Sequence, residues 1–507
     1  MSKYREQFRT TEARRRSLER RIEEDCRKSG HGRPRTRREF LNQGLIAGVS
    51  TVFLPSLATI LAREAHGQVT GCVIDNGGML GAGKIPFLGI DQGGGANIAG
   101  SNIIVGGMGG QEDFLDPGGY ARLGLPEAII PQNVGVDRTF GLAMHPNSAL
   151  LRGMLDKTNA ATRANVNGVV IPARSENDTG NNPHNPVYGI ARAGANGEFA
   201  ATIGTRNSES GGRSRAPDSM IQADLRPVRV SNRNQAIGLV GGDGGDGFPD
   251  GRVANASAII SALKLGQINE AQATKELVQC GYDKSAATLN TVVSAADLDP
   301  DADPVLQAIF PNGELNDGDF RKAAAAMKVV VNGYGGAGTI EYGGRDYHQD
   351  PRPETDGKDF VVGQVIGASL EYAAQRGQPL MIYGFSDGAV SADTNRPEDD
   401  GNGTTKFRWR SDNSQTAASF ILVYSPNGQP ALRAGAVGNQ LGHFRASGNV
   451  ETSSSPFANS VTSLAEMVVL NYLGLHGEEA MFGNVLGNPG LGTGAAVAPY
   501  IAFDPIV

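Results

Sequence analysis

Gly338-Thr339-Ile340-Glu341-Tyr342, running directly into Gly343-Gly344-Arg345-Asp346-Tyr347-His348, is the stretch on which the fold turns. Its first half is a short, largely apolar run that reads as a strand. Its second half is a glycine-permitted turn carrying a carboxylate and an imidazole two residues apart. Downstream, Lys358–Gln375 has the length and residue types of a helix. Pro379–Tyr383 then reads as another strand and empties into Gly384-Phe385-Ser386-Asp387-Gly388. Short apolar runs alternating with helical segments are the pattern of a sheet with helices on its faces.

Working outward, the same reading predicts strands at Asn102–Val105, Gly168–Ile171, Lys328–Val331 and Ser419–Tyr424. The nearly continuous apolar character of several of them suits buried, largely parallel strands. Helices are predicted at Asn147–Leu155, Phe320–Met327 and Ser463–Leu473, the last stopped by Gly474. Two stretches break the rhythm. Residues 174–252, rich in Gly, Asn, Ser and Arg, read as extended loops over the sheet. Residues 255–297 read as a helical insertion, with Asn269 as an N-cap. The fold class expected is α/β, with residues 68–507 forming one domain.

The segment before that domain has its own logic. Thr36-Arg37-Arg38-Glu39-Phe40-Leu41-Asn42 precedes the uncharged run Gly44 to Ala62, the pattern of a twin-arginine export signal. That run is long enough to span a bilayer, but its Gly, Ser, Thr and Pro content suits a cleaved signal better than a permanent anchor. Ala65-His66-Gly67 predicts cleavage before Gln68, so residues 1–67 are a charged extension and signal peptide. A rival is a lipoprotein box at Val69-Thr70-Gly71-Cys72, which would leave the protein lipid-anchored through Cys72. The expectation is therefore a periplasmic or otherwise exported protein, with the twin-arginine export machinery as partner and no permanent membrane span.

Residues 1–67 hold 15 Lys and Arg against 8 Asp and Glu, which leaves 31 basic and 45 acidic residues for the remainder. A net charge near −14 on the exported part argues against nucleic acid or anionic lipid as its partner. Glycine is frequent, 70 of 507 residues, and Trp409 stands alone, which favours turns over a helical bundle. With Cys26 in the signal, Cys72 and Cys280 make no disulfide framework.

Chemistry is expected where polar turns follow strands. Gly343–His348 is the first such turn, Gly384–Gly388 the second, and Arg410-Ser411-Asp412-Asn413-Ser414-Gln415-Thr416 precedes the strand at Ser419. Asp346 and His348 can converge on one divalent transition metal, with Asp387 as a further carboxylate. Independently, Asp243-Gly-Gly-Asp246-Gly-Phe-Pro-Asp250-Gly251 resembles a calcium loop, with Asp243, Asp246 and Asp250 as ligands.

The order of these turns is similar to that of the exported bacterial proteins grouped as domain of unknown function 1501, distant relatives of alkaline phosphatases and sulfatases. The resemblance runs from about residue 86 to 485. Gly94-Gly95-Ala96-Asn97-Ile98-Ala99-Gly100-Ser101 stands at the family's Gly-Gly-x-Asp-Gly-Leu-Asn strand end. Ala143-Met144-His145-Pro146 stands at its Leu-His-Pro helix start, and Asn181–Pro186 at its segment rich in Asn, Pro and His. Gly344–His348 matches Gly-(Trp or Phe)-Asp-Thr-His, and Phe385–Gly388 matches Phe-Ser-(Glu or Asp)-Phe-Gly-Arg. Asp412-Asn413-Ser414 stands at Asp-His-Gly, and Leu470–Gly474 at the end of the closing helix. The resemblance implies an alkaline-phosphatase-like α/β/α sandwich around a mostly parallel sheet. It also implies a metal site of Asp346, His348 and Asp387, with Ser101 beside it as a nucleophile. Asn97 replaces the family's Asp and Asn413 its His, and the Phe-Gly-Arg after Asp387 is missing. Two expectations follow: a catalytically silent binding or assembly module, with an envelope protein as partner, or a metal-dependent hydrolase of phosphate or sulfate esters.

Overall fold

The computed structural model describes residues 83–176, 182–206, 215–240 and 295–507. Nine strands occur among them. They are β1 (Phe87–Gly93), β2 (Val166–Pro172), β3 (Ala200–Gly204), β4 (Val228–Arg229), β5 (Gly335–Gly343), β6 (Leu380–Phe385), β7 (Val390–Asp399), β8 (Thr405–Asp412) and β9 (Ala418–Tyr424). Seven make one sheet in the order β2-β9-β6-β1-β5-β3-β4. β1 pairs in parallel with β5 and β6, and β3 with β4 and β5, whereas β9 runs antiparallel to both its neighbours. The sheet is thus mostly parallel, and β7 and β8 form a separate antiparallel ribbon.

Alternation along the central strands divides the core in two. Leu88, Ile90, Ile340, Tyr342, Ile382 and Leu422 face one side, covered by α1 (Ala149–Lys157), α3 (Gly318–Val331) and α4 (Arg352–Gln375). Phe87, Ala337, Met381, Tyr383, Ile421 and Val423 face the other, under α2 (Val187–Arg192) and α5 (Val461–Leu475). Each Leu, Ile, Val, Phe or Met side chain among them, fully removed from water, contributes about 1.5–3 kcal/mol. Local signals set the helix ends. Ser148 caps α1 by accepting from the Leu151 amide, Asp317 caps α3 from Asp319, and Ser460 caps α5 from Ser463. Gly377, at φ +63°, ends α4. Helices α1 and α4 meet where neither has a side chain: a Cβ on Gly153 would lie 2.1 Å from the Phe360 carbonyl oxygen. Among the described residues no helix is long and apolar enough to cross a membrane.

Two of the predicted strands need correcting, and several elements of the sheet need adding. Lys328–Val331 is not a strand but the last turn of α3, because a short apolar run buried all round looks the same in either conformation. Asn102–Val105 forms only isolated bridges at Ile103. The central strand β1 lies upstream of it, its reading obscured by the buried polar pair Asp91 and Gln92. Residues 174–252 are not simply loops over the sheet, since they supply α2, β3 and β4 and complete one edge. Of the polar segment Arg410–Thr416, the first three residues are the end of strand β8 rather than part of a turn. The export signal, Cys72, the Asp243–Asp250 loop and the body of the 255–297 insertion lie outside the described residues.

Candidate metal centre

The turn after β5 is held by the turn after β1. The Arg345 amide donates to the Gly93 carbonyl at 3.1 Å and the Tyr347 amide to Gly95 at 3.4 Å. Gly94 makes this contact possible: its φ is +133°, and a Cβ there would sit 2.6 Å from the Asp346 nitrogen. Tyr347 is the anchor of the turn. It is fully buried, packs with Ala96, Val390 and Trp409, and its hydroxyl donates to Asp359 on α4 at 2.5 Å. Tyr347 is turned inward, while Asp346 and His348 on either side of it are half exposed.

His348 Nδ1 lies 2.5 Å from Asp346 Oδ1 and 3.8 Å from Asp412 Oδ1. Asp412 is the last residue of β8 and reaches this place because it pairs with Val390 at the start of β7. One ligand atom from each of Asp346, His348 and Asp412 lies within 4.8 Å of the other two. All three side chains are roughly half exposed, at 41, 42 and 52 %. Two carboxylate oxygens and an imidazole nitrogen are a donor set suited to a borderline divalent ion such as zinc, with coordination positions left for water or a further ligand.

Asp387 is placed differently. It is completely buried at the turn after β6, and its Oδ1 accepts from the Gly94 amide at 2.6 Å. Ser386 beside it donates to the Gln92 carbonyl and accepts from the Ala96 amide. Asp387 therefore shapes the Gly94 turn on which Asp346 rests, and Asp412 takes the third place beside Asp346 and His348. Ser101 is 1 % exposed, and among the described residues its hydroxyl has no hydrogen-bond partner. So enclosed, that oxygen offers no approach to a substrate. Asn97 and Asn413 both serve the backbone: Asn97 Nδ2 donates to the Val390 carbonyl at 2.8 Å, and Asn413 Oδ1 accepts from the Gln415 amide.

The histidines divide along the same line. Burial holds His145 at about 4, and His184 and His476 at about 3, so all three are neutral at physiological pH. His184 stacks on Phe385, and His145 Nε2 donates to the Ile129 carbonyl at 2.7 Å. Neighbouring Asn182 donates to the Asp387 carbonyl at 2.6 Å, so the Asn-Pro-His segment also buttresses the turns. Asp359 behind Tyr347 is pushed up from 3.8 to about 6, first by burial and then by the charge of Asp356. The ligand that sequence reasoning missed, Asp412, stood in a recognised polar segment. What hid it was the hairpin pairing that carries it to His348.

No protein-family model matches this chain, and no curated protein matches it.

Proposed function

We propose that this is an exported protein that binds one divalent metal ion through Asp346, His348 and Asp412, on an alkaline-phosphatase-like version of its α/β fold, and serves as a non-catalytic binding or assembly module. The observation that carries the reading is the convergence of two carboxylates and an imidazole, from β5's turn and the end of β8, on one point. The module reading is supported by what surrounds that point. Asn97 and Asn413 are engaged as backbone braces, Asp387 shapes a turn, and Ser101 is enclosed. Three ligands suffice for one ion, whereas a two-metal hydrolase needs a second set and an adjacent oxygen nucleophile.

Elemental mass spectrometry of the exported protein, purified without chelators, tests this. One transition-metal ion per chain is expected, lost in Asp412→Ala and retained in Ser101→Ala. A metal-free protein, or metal unaffected by Asp412→Ala, would overturn it. The half-exposed ligands favour one alternative, a metal-dependent hydrolase of phosphate or sulfate esters. It predicts ester turnover that disappears in Asp412→Ala, and turnover by the intact protein would replace the module reading.

A further inference from the structure

A cavity of about 540 Å³ opens at the carboxyl ends of β3, β4 and β5, apart from the three metal ligands. That volume is in the range of small-ligand sites, and the carboxyl edge of a mostly parallel sheet is where such sites form. Among the described residues its walls include Arg206 just beyond β3, Arg229 at the end of β4, Lys322 on α3 and Glu341 on β5, with Thr205, whose hydroxyl oxygen accepts from the Glu341 amide at 2.8 Å, and Ser231, whose hydroxyl donates to Gln235 at 2.8 Å. Three cations thus stand with two carboxylates, Glu341 in the wall and Asp319 paired with Lys322, which leaves a local excess of one positive charge on a chain whose net charge is −7. Gathering like charges in one hollow is unfavourable unless an anion offsets them.

Two of the three cations are ion-paired among the described residues, and the third, Arg229, is not. Glu341, 4 % exposed, takes one nitrogen of Arg206 at 3.1 Å, which orients the fork and leaves other donors of a guanidinium to spare. Lys322 rests 4.0 Å from the centre of the Tyr342 ring and pairs with Asp319 at 2.8 Å. Arg229 has no ion-pair partner among the described residues. Two planar guanidiniums and an ammonium suit the oxygens of a phosphate, sulfate or carboxylate group, where bidentate hydrogen bonds add to the charge attraction.

We infer that this cavity is a binding site for a small oxyanion-bearing ligand, held by Arg206, Arg229 and Lys322, with the Thr205 hydroxyl beside them. The site stands independently of the metal proposal. Calorimetric titration of the chelator-treated, full exported protein at low salt tests it, with inorganic phosphate and succinate as separate probes. Saturable binding of one equivalent of either is expected, phosphate alone indicating a tetrahedral group and succinate alone a carboxylate. Added salt should weaken it. Arg229→Ala combined with Lys322→Ala should weaken it by roughly tenfold or more, since each charged hydrogen bond contributes on that scale. Arg229→Lys, which keeps the charge and loses the fork, should fall between. No saturable binding of either probe, or binding unchanged in a double variant whose unfolding midpoint matches the parent, would overturn the inference.

Discussion

Asp359 offers a perturbation whose size follows from its surroundings. Its carboxylate is buried on α4, accepting from the Tyr347 hydroxyl at 2.5 Å and from Asn102 Nδ2 at 2.6 Å. Burial and the neighbouring charge of Asp356 raise it to about 6, against the opposing pull of Tyr347, Asn102 and Arg352. Between the ordinary 3.8 and about 6 the folded protein keeps a proton that the unfolded chain has lost. This group's contribution to stability is therefore fully present below 3.8 and lost as pH rises through about 6. At about 1.4 kcal/mol per tenfold change in proton affinity, the loss is about 3 kcal/mol. The buried histidines act in the opposite sense. His145, His184 and His476 are held at or below about 4, so each adds stability as pH rises towards 6.5. The parent should gain stability over this range, and the Asp359 contribution is isolated only by difference. Asp359→Asn retains the shape and both hydrogen bonds, the new amide donating to the Tyr347 oxygen and accepting from Asn102. Guanidinium unfolding, followed by the fluorescence of buried Trp409 next to Tyr347, should show the variant gaining about 3 kcal/mol on the parent between pH 4 and 8. A difference between variant and parent that is flat across this range would refute the assignment.

Two further perturbations address other parts of the chain. Gly94→Ala combines a strained backbone with a Cβ 2.6 Å from the Asp346 nitrogen, so it should cost about 1–3 kcal/mol and lower metal occupancy by displacing Asp346; calorimetric stability and metal content measured on one preparation check both effects. Replacing Arg37 and Arg38 with Lys should leave the protein in the cytoplasm, and fractionation of cells expressing the variant would show whether it still accumulates outside.

Much of the architecture could be read locally. The runs at Gly168–Ile171, Gly338–Tyr342 and Ser419–Tyr424 lie within sheet strands, and all of Pro379–Tyr383 but its first residue does, because β-branched and aromatic residues bounded by glycine leave the backbone few alternatives. The four predicted helices correspond to α1, α3, α4 and α5, whose caps and amphipathic or apolar runs lie within a few residues of each other. Where locality failed, the cause was burial. β1 carries Asp91 and Gln92 and still occupies the middle of the sheet, while Lys328–Val331 is apolar enough for a strand but belongs to a helix already started at Asp317.

The sequence by itself determined that the chain alternates strands with helices, and that Asp346 and His348 share one side of a turn, since both depend on spacings of a few residues. Tertiary structure alone decided that β9 opposes its neighbours, that β3 and β4 extend the sheet beyond β5, and that Arg206, Arg229 and Lys322 line one cavity. It also decided that Asp412 rather than Asp387 joins the imidazole. Both carboxylates sit in polar segments beside strands and look equivalent in one dimension. One is drawn inward to the Gly94 amide, and the other is carried to His348 by a hairpin whose pairing joins residues 22 positions apart. Such distinctions rest on contacts between distant segments, where packing and hydrogen-bond satisfaction over the whole core outweigh local preference.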